Sequence, residues 1–409
     1  MNKICLGAVV GLTMLSQVGY AKDIFEATIS VAGQGTQYNS YNSVSDVGDQ
    51  YDFDNLKQIF PNYTGTEAVT ASVNLRGANG ELTYGANSNS LNLSILGINR
   101  VYNGATREEA QDRFSDEIKN DKELLAALSK YWVENTATDP VAGNPSSALS
   151  RSATAAAGII SDMVPDATSG KEASTSLGIA PRFGRYTADS YNTKLYSLPF
   201  YYAHWFEGQK VGLAIDVPLT VTDTEGALSG NIDFGIGVNF KVASTSDYTW
   251  YVMPMLRTGV TGSEDSAAAA WTYGASLASN AQFPISDQAN ISIINMVSRY
   301  KTDNLKVGDY DSQYDLDNTI LRNGIEYSHI MPGLIMNKPL VAKIQYARTD
   351  YHGDKLFTEL SHEVSGSLGI KNSNPQAWIN EYRLGFTANY DKTAKNDSKG
   401  FSVNLGYKF

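Results

Sequence analysis

The sequence predicts an all-β membrane protein: a twelve-stranded antiparallel transmembrane β-barrel with a luminal helix, preceded by a small β domain plus an amphipathic helix. Three observations predict this fold class. Apolar and polar residues alternate along the last ten residues, and similar alternation recurs in segments from about residue 174 onward. Beyond the leader, no stretch offers the roughly 18 consecutive apolar residues of a helical span. A closed barrel is then the remaining way to satisfy backbone polar groups within lipid.

The first 21 residues have the pattern of a secretory signal peptide. Lys3 gives a basic start, residues 4–15 form an apolar run, and residues 19–21 provide a small-residue cleavage site. We therefore expect residues 1–21 to be removed during export. Cys5, the only cysteine, lies within this segment, so the exported chain has no thiol for disulfide or thiolate chemistry.

Residues 22–138 are predicted to form a small N-terminal β/α domain. Strand-like pieces lie at residues 68–75, 81–84 and 91–98. A single helix is predicted over residues 106–135, because Thr106 and Glu109 form a capping box and apolar residues recur at helical spacing. Its apolar stripe is expected to pack on the preceding strands, with a partner or the membrane as the alternative.

Residues 139–173 are predicted to form a linker and a helix inside the barrel. Residues 139–145 (DPVAGNP) carry helix breakers, whereas residues 146–164 consist almost entirely of small side chains. A twelve-stranded barrel has room for one thin helix, and Ala, Ser and Gly on every side allow it to fit. Arg151 and Asp162 are charged residues of this predicted luminal helix. The alternative is a flexible linker of low helix content.

Residues 174–409 are predicted to form the barrel. The clearest alternation covers residues 211–219 and 232–240, where every second residue is apolar. Comparable segments are residues 196–202, 271–277, 340–346, 364–370 and 382–390, with weaker ones near Leu177, Tyr251, Ile293 and Ile325. With the terminal strand these make twelve, and an even count places both barrel ends on one side.

Alternate turns of this barrel are predicted on the periplasmic side. They are short and lie at residues 207–209, 243–247, 284–289, 331–337 and 372–375. The opposite set includes the longer connections at residues 301–317 and 391–399. Short periplasmic turns and long external loops are typical of outer-membrane barrels.

The last strand, residues 400–409 (GFSVNLGYKF), has one apolar face. That face comprises Phe401, Val403, Leu405, Tyr407 and Phe409. Because strand side chains alternate, the strand can present this face to lipid and its polar face to the lumen. Its aromatic end resembles the C-terminal signal by which the assembly machinery recognises outer-membrane β-barrels of Gram-negative bacteria.

The same alternation along the strands places a set of charged and polar residues on the luminal wall. The opposite orientation is unfavourable, because Lys or Arg facing lipid costs about 2–4 kcal/mol near the bilayer midplane. The set is Asp216, Asp233, Arg322, Glu326, Lys343, Gln345, Glu381 and Arg383. We interpret it as a salt-bridge network that supports the barrel and grips a plug. A selectivity filter is the alternative.

Composition narrows the function classes. The net charge of -11 and the pI near 4.9 argue against a nucleic-acid partner, whose phosphates would be repelled. The 25 Tyr residues suit the two membrane interfaces, since Tyr combines an apolar ring with a polar tip. A mean hydropathy of -0.27 is compatible with a barrel, whose apolar residues occupy alternate positions.

Residues 146–409, a small-residue segment followed by twelve strands and an aromatic end, resemble the translocator domain of autotransporters. Residues 184–186 (GRY) and 195–198 (LYSL) are similar to early strands of that class. Residues 104–108 (GATRE) and 139–145 are similar to solitary autotransporter barrels, which carry almost no passenger. The resemblance implies a non-enzymatic protein of the Gram-negative outer membrane that translocates or displays its own short N-terminal region.

The resemblance also implies partners, and the chain departs from the family in two respects. The expected partners are the barrel assembly machinery, outer-membrane lipids and lipopolysaccharide, with a monomeric barrel. The long repetitive passenger of the family is missing, since only residues 22–138 precede the linker and show no repeat. The Asn-Asn or Asp pair at which some members cut themselves is also missing from residues 146–164, so self-cleavage is disfavoured.

Two further functions stay open at this stage. A small-solute porin or channel, plugged or gated by the N-terminal segment, would use the same barrel. A membrane-embedded hydrolase would need a Ser or Asp paired with a histidine. The four histidines, His204, His329, His352 and His362, are predicted at strand ends or loops, where interfacial positions suit them without catalysis.

A possible cation site is the acidic stretch GDYDSQYDLDN. It contains Asp309, Asp311, Asp315 and Asp317 but lacks the glycine and the distal Glu of an EF-hand loop. We interpret it as a solvated external loop that divalent cations can bridge to lipopolysaccharide. We therefore expect no catalytic residue, no bound metal and no cofactor.

Overall fold

The structure is a computed structural model, which describes residues 23–162, 175–208, 210–335, 338–371, 381–393 and 397–408. The predicted signal peptide, residues 163–164 of the predicted helix, the predicted turn at residues 372–375 and the terminal Phe409 lie outside the described residues.

The N-terminal domain is built on an antiparallel sheet. Its strands are β1 (Phe25–Val31), β2 (Gly35–Tyr41), β3 (Val69–Leu75), β4 (Ala78–Tyr84), β5 (Ser90–Ile95) and β6 (Ile98–Asn103). Among the described residues the sheet has six strands in the order β2-β1-β3-β4-β5-β6. One face buries apolar side chains, as Phe25, Ala27 and Ile29 do in β1, and the helices of the domain cover that face.

Two short helices and three strands of this domain escaped the sequence analysis. The helices are α1 (Val44–Asp49) and α2 (Phe53–Ile59), and the strands are β1, β2 and β6, the last of which was predicted only at its first residue. With six and seven residues, the helices are too short to display helical periodicity. β2 is a polar, mostly exposed edge strand, so it has no apolar face to recognise.

The single helix predicted over residues 106–135 is wrong, because the structure has two helices there. They are α3 (Arg107–Ile118) and α4 (Lys122–Asn135). The break between the two helices lies at Asp121, because its side chain accepts a hydrogen bond from the backbone N–H of Leu124 and caps the second helix. Arg100 of β6 holds the Asp121 carboxylate at 2.6 Å. The apolar stripe does pack on the sheet, with Phe114 and Trp132 in the core of the domain.

The barrel wall is one closed antiparallel sheet. Its strands are β7 (Thr175–Ile179), β8 (Arg182–Ala188), β9 (Tyr191–Trp205), β10 (Val211–Thr224), β11 (Ala227–Ser244), β12 (Thr249–Ser263), β13 (Ala268–Ser286), β14 (Ala289–Val307), β16 (Asp317–Ile335), β17 (Lys338–Gly353), β18 (Thr358–Lys371), β19 (Glu381–Thr393) and β20 (Ser398–Lys408). A short strand, β15 (Tyr310–Ser312), pairs with the end of β14 outside the wall.

The predicted count of twelve strands is confirmed for the described part of the chain. β7 and β8 both lie between β9 and β20, so together they form one wall position, interrupted at Ala180 and Pro181. Proline has no backbone N–H to donate, which explains the interruption. The last strand thus pairs with the first, and no edge strand faces lipid in this wall.

The strands run further than the apolar alternation suggested. The predicted long connection at residues 301–317 is mostly strand, since β14 continues to Val307 and pairs there with β15. Lys301 still faces Asp317 of β16 across the ladder. Backbone pairing continues beyond the apolar band, where side chains become polar and the alternation is lost.

The lumen contains helix α5 (Ala148–Asp162), as predicted. Ala153, Ala156 and Ile160 are almost completely buried, and the helix packs against the side of the wall formed by strands β10 to β14. Small side chains permit this fit. Among the described helices, none combines the length and apolar character that a membrane span requires.

The barrel has two distinct ends. The terminal end carries the start of β7 and the end of β20, together with turns such as residues 245–248 and 287–288. The mouth end carries the turns at residues 225–226, 264–267, 308–316 and 354–357. The N-terminal domain lies over the mouth end, where Val44 N–H donates to the carbonyl of Asp265 at 3.1 Å.

Candidate functional site: the lumen and its mouth

Polar contacts fix helix α5 against one side of the barrel wall. Ser152 Oγ donates to Asp233 Oδ2 at 2.9 Å, and Tyr300 Oη donates to the carbonyl of Ser152 at 3.3 Å. Nearer the terminal end, Asn280 Nδ2 donates to the carbonyl of Ile160 at 3.2 Å. The helix is therefore held by specific hydrogen bonds as well as by close packing.

A buried ion pair lies beside the contacts of helix α5 with the wall, and the sequence analysis identified only one of its two residues. Arg257 Nη2 contacts both carboxylate oxygens of Asp216, at 2.6 and 2.8 Å, and the side chains are 1% and 4% exposed. Asp216 was predicted to face inward, but Arg257 was missed. The sequence did contain a signal for an inward-facing Arg257, because this residue alternates with Leu256 and Thr258. The alternation of the strand as a whole looked ambiguous.

The other side of the lumen carries the remaining predicted charges, arranged as ion pairs. Arg322 pairs with Glu363 at 3.0 Å, Lys343 with Glu326 at 3.0 Å, and Arg383 with Glu381 at 2.5 Å. Glu363 was not predicted. These residues line a cavity of about 230 Å³ between the wall and helix α5, and Gln345 and Arg182 line it as well.

The two predicted charges of the luminal helix have different surroundings. Arg151 lies in the first turn of α5, and its Nε and Nη1 atoms are buried without a hydrogen-bond partner among the described residues. Asp162 ends the helix, but its side chain is outside the described part of the structure. Ser161 Oγ, one residue earlier, donates to Glu326 Oε2 at 3.1 Å and links the helix to the cavity wall.

The predicted assembly signal forms the outer face of β20. Phe401 and Leu405 are exposed, Val403 and Tyr407 are partly buried, and all follow the alternation of the strand. Phe401 stacks on Phe386 of β19, with ring centroids 6.2 Å apart. The apolar outer wall continues around the barrel through residues such as Leu256, Ile344 and Val364, which are 55–63% exposed.

Residues 136–147, named here the mouth segment, lead from α4 to the luminal helix. The sequence analysis treated most of them as a linker, but they are buried almost throughout. Pro140, Gly143 and Pro145 prevent a helix, and Asp139 and Asn144 organise the turns. The segment packs against barrel residues such as Leu356, so the lumen is closed at the mouth end.

Asp139 is the centre of the contacts at the mouth. Its Oδ1 accepts the backbone N–H groups of Val141 and Ala142, at 2.9 and 3.1 Å. Its Oδ2 accepts from Arg76 Nη2 at 2.8 Å and from Tyr314 Oη at 2.7 Å. Burial raises the pKa of Tyr314 well above its ordinary value, and the Asp139 carboxylate adds to the effect, so the phenol remains a proton donor.

Arg76 completes this cluster from the N-terminal domain. Its Nη1 donates to the carbonyl of Ser266 at 3.0 Å, and its guanidinium carbon lies 4.1 Å from the ring centroid of Trp132. The side chains of Arg76 and Asp139 are both 0% exposed. A buried charge pair needs such additional partners, because both ions have lost their water.

Further contacts join the domain to the barrel around this cluster. The backbone N–H groups of Asp311, Phe357 and Thr358 donate to the carbonyls of Lys119, Val133 and Gly143, at 2.7–3.0 Å. Lys119 pairs with Asp309 at 3.4 Å, and Lys122 pairs with Asp311 at 3.3 Å.

These contacts correct the interpretation of the acidic loop as freely solvated. Asp309 and Asp311 bind the N-terminal domain, and Asp317 binds Arg299 and Lys301 at 2.7 and 3.0 Å. Three of its four carboxylates thus already have protein cations as partners. Within the described residues, no group of three or more His, Cys, Asp or Glu is arranged to hold a metal ion.

Three of the histidines lie beside hydroxyl groups of other side chains. His204 Nδ1 is 2.8 Å from Thr175 Oγ1, His362 Nδ1 is 2.8 Å from Tyr346 Oη, and His329 Nδ1 is 3.4 Å from Tyr327 Oη.

Comparison with known proteins concerns the fold alone. No family model and no curated protein matches the sequence. Similar solved structures include the β domain of the Bordetella autotransporter BrkA, with a TM-score of 0.43 and 10% identity over 58% of this chain and 99% of that domain. Another is the translocator domain of autotransporter NalP from Neisseria meningitidis, with a TM-score of 0.44 and 10% identity over 64% and 96%. These two are of the class that the sequence resembles.

A channel is among the similar structures too. The COG4313 outer membrane channel from Pseudomonas putida F1 has a TM-score of 0.42 and 11% identity over 60% of this chain and 99% of that one. At these identities and TM-scores the likeness says nothing about activity, and the twelve strands and the luminal helix are observed directly in this chain.

Proposed function

We propose that this protein is a non-enzymatic outer-membrane barrel of autotransporter type that displays its own N-terminal domain at the cell surface. One observation carries the proposal: the domain lies over the mouth end, and helix α5 then runs through the lumen toward the terminal end, near which β7 begins. A chain that crosses its own barrel in this way places what precedes the helix on the far side of the membrane.

The orientation follows from the rules of bacterial barrels. An even number of strands puts both barrel ends on one side, and in these proteins that side carries the short periplasmic turns. Among the connections that are described throughout, those of the terminal end at residues 245–248 and 287–288 are short, and the longest, residues 308–316, belongs to the mouth end. The mouth end and the N-terminal domain then face the exterior.

The proposed partners follow from the surface of the barrel. The apolar outer wall suits lipids and lipopolysaccharide, and the aromatic last strand suits recognition by the assembly machinery. Because the described wall pairs its last strand with its first, it offers no strand edge to a second copy, which supports a monomer.

Labelling of single cysteines on intact cells tests the display. Ala32→Cys lies on an exposed turn of the N-terminal domain, and Glu207→Cys lies on an exposed turn of the terminal end. A maleimide that cannot cross membranes should label Ala32→Cys on intact cells, and Glu207→Cys only after the outer membrane is permeabilised. Labelling of Glu207→Cys alone on intact cells would contradict the proposal.

The charged cavity beside helix α5 favours a second candidate, a small-solute channel that the N-terminal region plugs. The cavity of about 230 Å³ is lined by three ion pairs and by Arg182. Planar-bilayer recordings separate the two functions. A display barrel should stay closed as the full chain and conduct only without residues 22–165, whereas a channel should conduct as the full chain.

A further inference from the structure

One carboxylate ties together three separate parts of the chain. Arg76 comes from the turn between β3 and β4 of the N-terminal domain, Asp139 from the mouth segment, and Tyr314 from the barrel connection at residues 308–316. All three side chains are buried, with residue exposures of 0%, 0% and 2%. None of them can be satisfied by water while the domain sits on the barrel.

The other polar contacts of the interface are weaker in kind, and buried apolar residues such as Tyr191 and Ala227 of the barrel join the core of the domain. These polar contacts are backbone hydrogen bonds and partly exposed ion pairs, in which Asp309 and Lys122 are 75% and 71% exposed. Exposed pairs are screened by salt and contribute little. Among the polar contacts, the buried cluster around Asp139 is therefore the one that salt and water can screen least.

The barrier to passage also lies at this place. The mouth segment fills the mouth end with buried side chains such as Val141, Ala142 and Ser147, whereas a cavity of about 230 Å³ remains beside the helix further down the lumen. A helix alone leaves space along one side of the barrel. The mouth segment and the domain above it close what the helix leaves open.

We propose that the N-terminal domain is a lid over the barrel mouth and that the Asp139 carboxylate is its latch. Opening requires that Arg76 and Tyr314 release this carboxylate together, because removal of one partner leaves the others buried and unpaired. The lid is defined by contacts with the barrel, so the inference holds whichever side of the membrane the mouth end faces. It adds a closed and an open state to the proposed display function.

A buried cysteine reports the state of the lid. Ser147→Cys changes an almost isosteric residue that is 0% exposed at the end of the mouth segment, and the exported chain is expected to hold no other thiol. The rate at which a water-soluble maleimide labels this cysteine is measured on the full-length protein in detergent. Tyr314→Phe then removes only the hydroxyl that binds Asp139. Tyr84→Phe is the matched control, since Tyr84 Oη donates at 3.0 Å to the carbonyl of Arg107 within the domain.

The latch predicts that Tyr314→Phe accelerates labelling on the order of tenfold, as expected for a lost hydrogen bond to a charged group, while Tyr84→Phe leaves the rate unchanged. Equal rates in the two variants overturn the latch, and rapid labelling without either change overturns the closed lid.

The salt concentration provides a second test, which needs no substitution in the latch. Raising the salt concentration from about 0.1 M to about 1 M should leave labelling of the cysteine slow. Faster labelling at high salt would show that the exposed ion pairs, and not the latch, keep the lid closed.

Discussion

Gly143 occupies a position in the mouth segment that only glycine fits. Its φ of +91° lies in the left-handed region, and a Cβ at this position would come within 2.4 Å of the carbonyl oxygen of Val133. That carbonyl accepts the backbone N–H of Phe357, and the carbonyl of Gly143 accepts that of Thr358. One residue thus allows the mouth segment, helix α4 and the barrel to meet at hydrogen-bonding distance.

Gly143→Ala should lower the free energy of unfolding by about 1–3 kcal/mol, because the alanine is strained at this φ and displaces Val133. Gly158→Ala is the control, since a Cβ there meets nothing within 4 Å and alanine favours a helix by about 0.5–1 kcal/mol. Urea titration followed by tryptophan fluorescence measures both. Equal stability of the two variants would contradict the geometry described for the mouth.

Single residues show what could be predicted from the sequence and what could not. The alternation of side chains along the strands predicted that Asp216 and Asp233 face the lumen, because a charge in lipid is costly. It did not identify their partners. Arg257 lies 41 residues from Asp216 in the chain, and Ser152 lies 81 residues from Asp233, so only the closed barrel brings them together.

At the scale of elements, helix α5 is defined by the size of its side chains. Ala156 is fully buried on the helix, and Thr154 and Gly158 border the cavity. The predicted luminal helix is therefore correct as an element, but its packing is one-sided. The broken helix at residues 119–121 is a contrasting case, where a capping aspartate ended a continuous apolar periodicity.

Ala156→Leu should reduce the stability of the assembled protein by about 1–3 kcal/mol, since the wall leaves no room for a larger side chain. Thr154→Leu introduces the same side chain toward the cavity and should have a much smaller effect. The readout is the fraction of protein that keeps the faster mobility of a folded barrel when heated in detergent. A larger loss in Thr154→Leu than in Ala156→Leu would show that the helix is turned differently.

At the scale of the whole molecule, closure of the wall separates two environments around every strand. Val364 and Ser365 are neighbours near the middle of β18, yet Val364 is 55% exposed on the outside and Ser365 lines the internal cavity. The same substitution at these two positions therefore compares the cost of a side chain that faces lipid with the cost of one that faces the lumen.

Val364→Lys should cost about 2–4 kcal/mol in lipid vesicles, because its ammonium group would lie near the bilayer midplane. Ser365→Lys should cost much less, since Glu363 and Gln345 line the same cavity. Urea unfolding in vesicles measures the two costs. If Ser365→Lys were the more harmful change, the inside and outside of β18 would have been exchanged.

The sequence by itself determined the barrel class, the twelve strands, the small-residue helix and the inward charges. These properties depend on local periodicity and on the cost of charge in lipid, and both can be read within about ten residues. Only the tertiary structure decided where the N-terminal domain lies, how the mouth segment is buried and which charges are paired. Arg76 and Asp139 are 63 residues apart, and Asp139 and Tyr314 are 175 residues apart. No local pattern encodes such contacts, because they exist only once the barrel has closed around the chain.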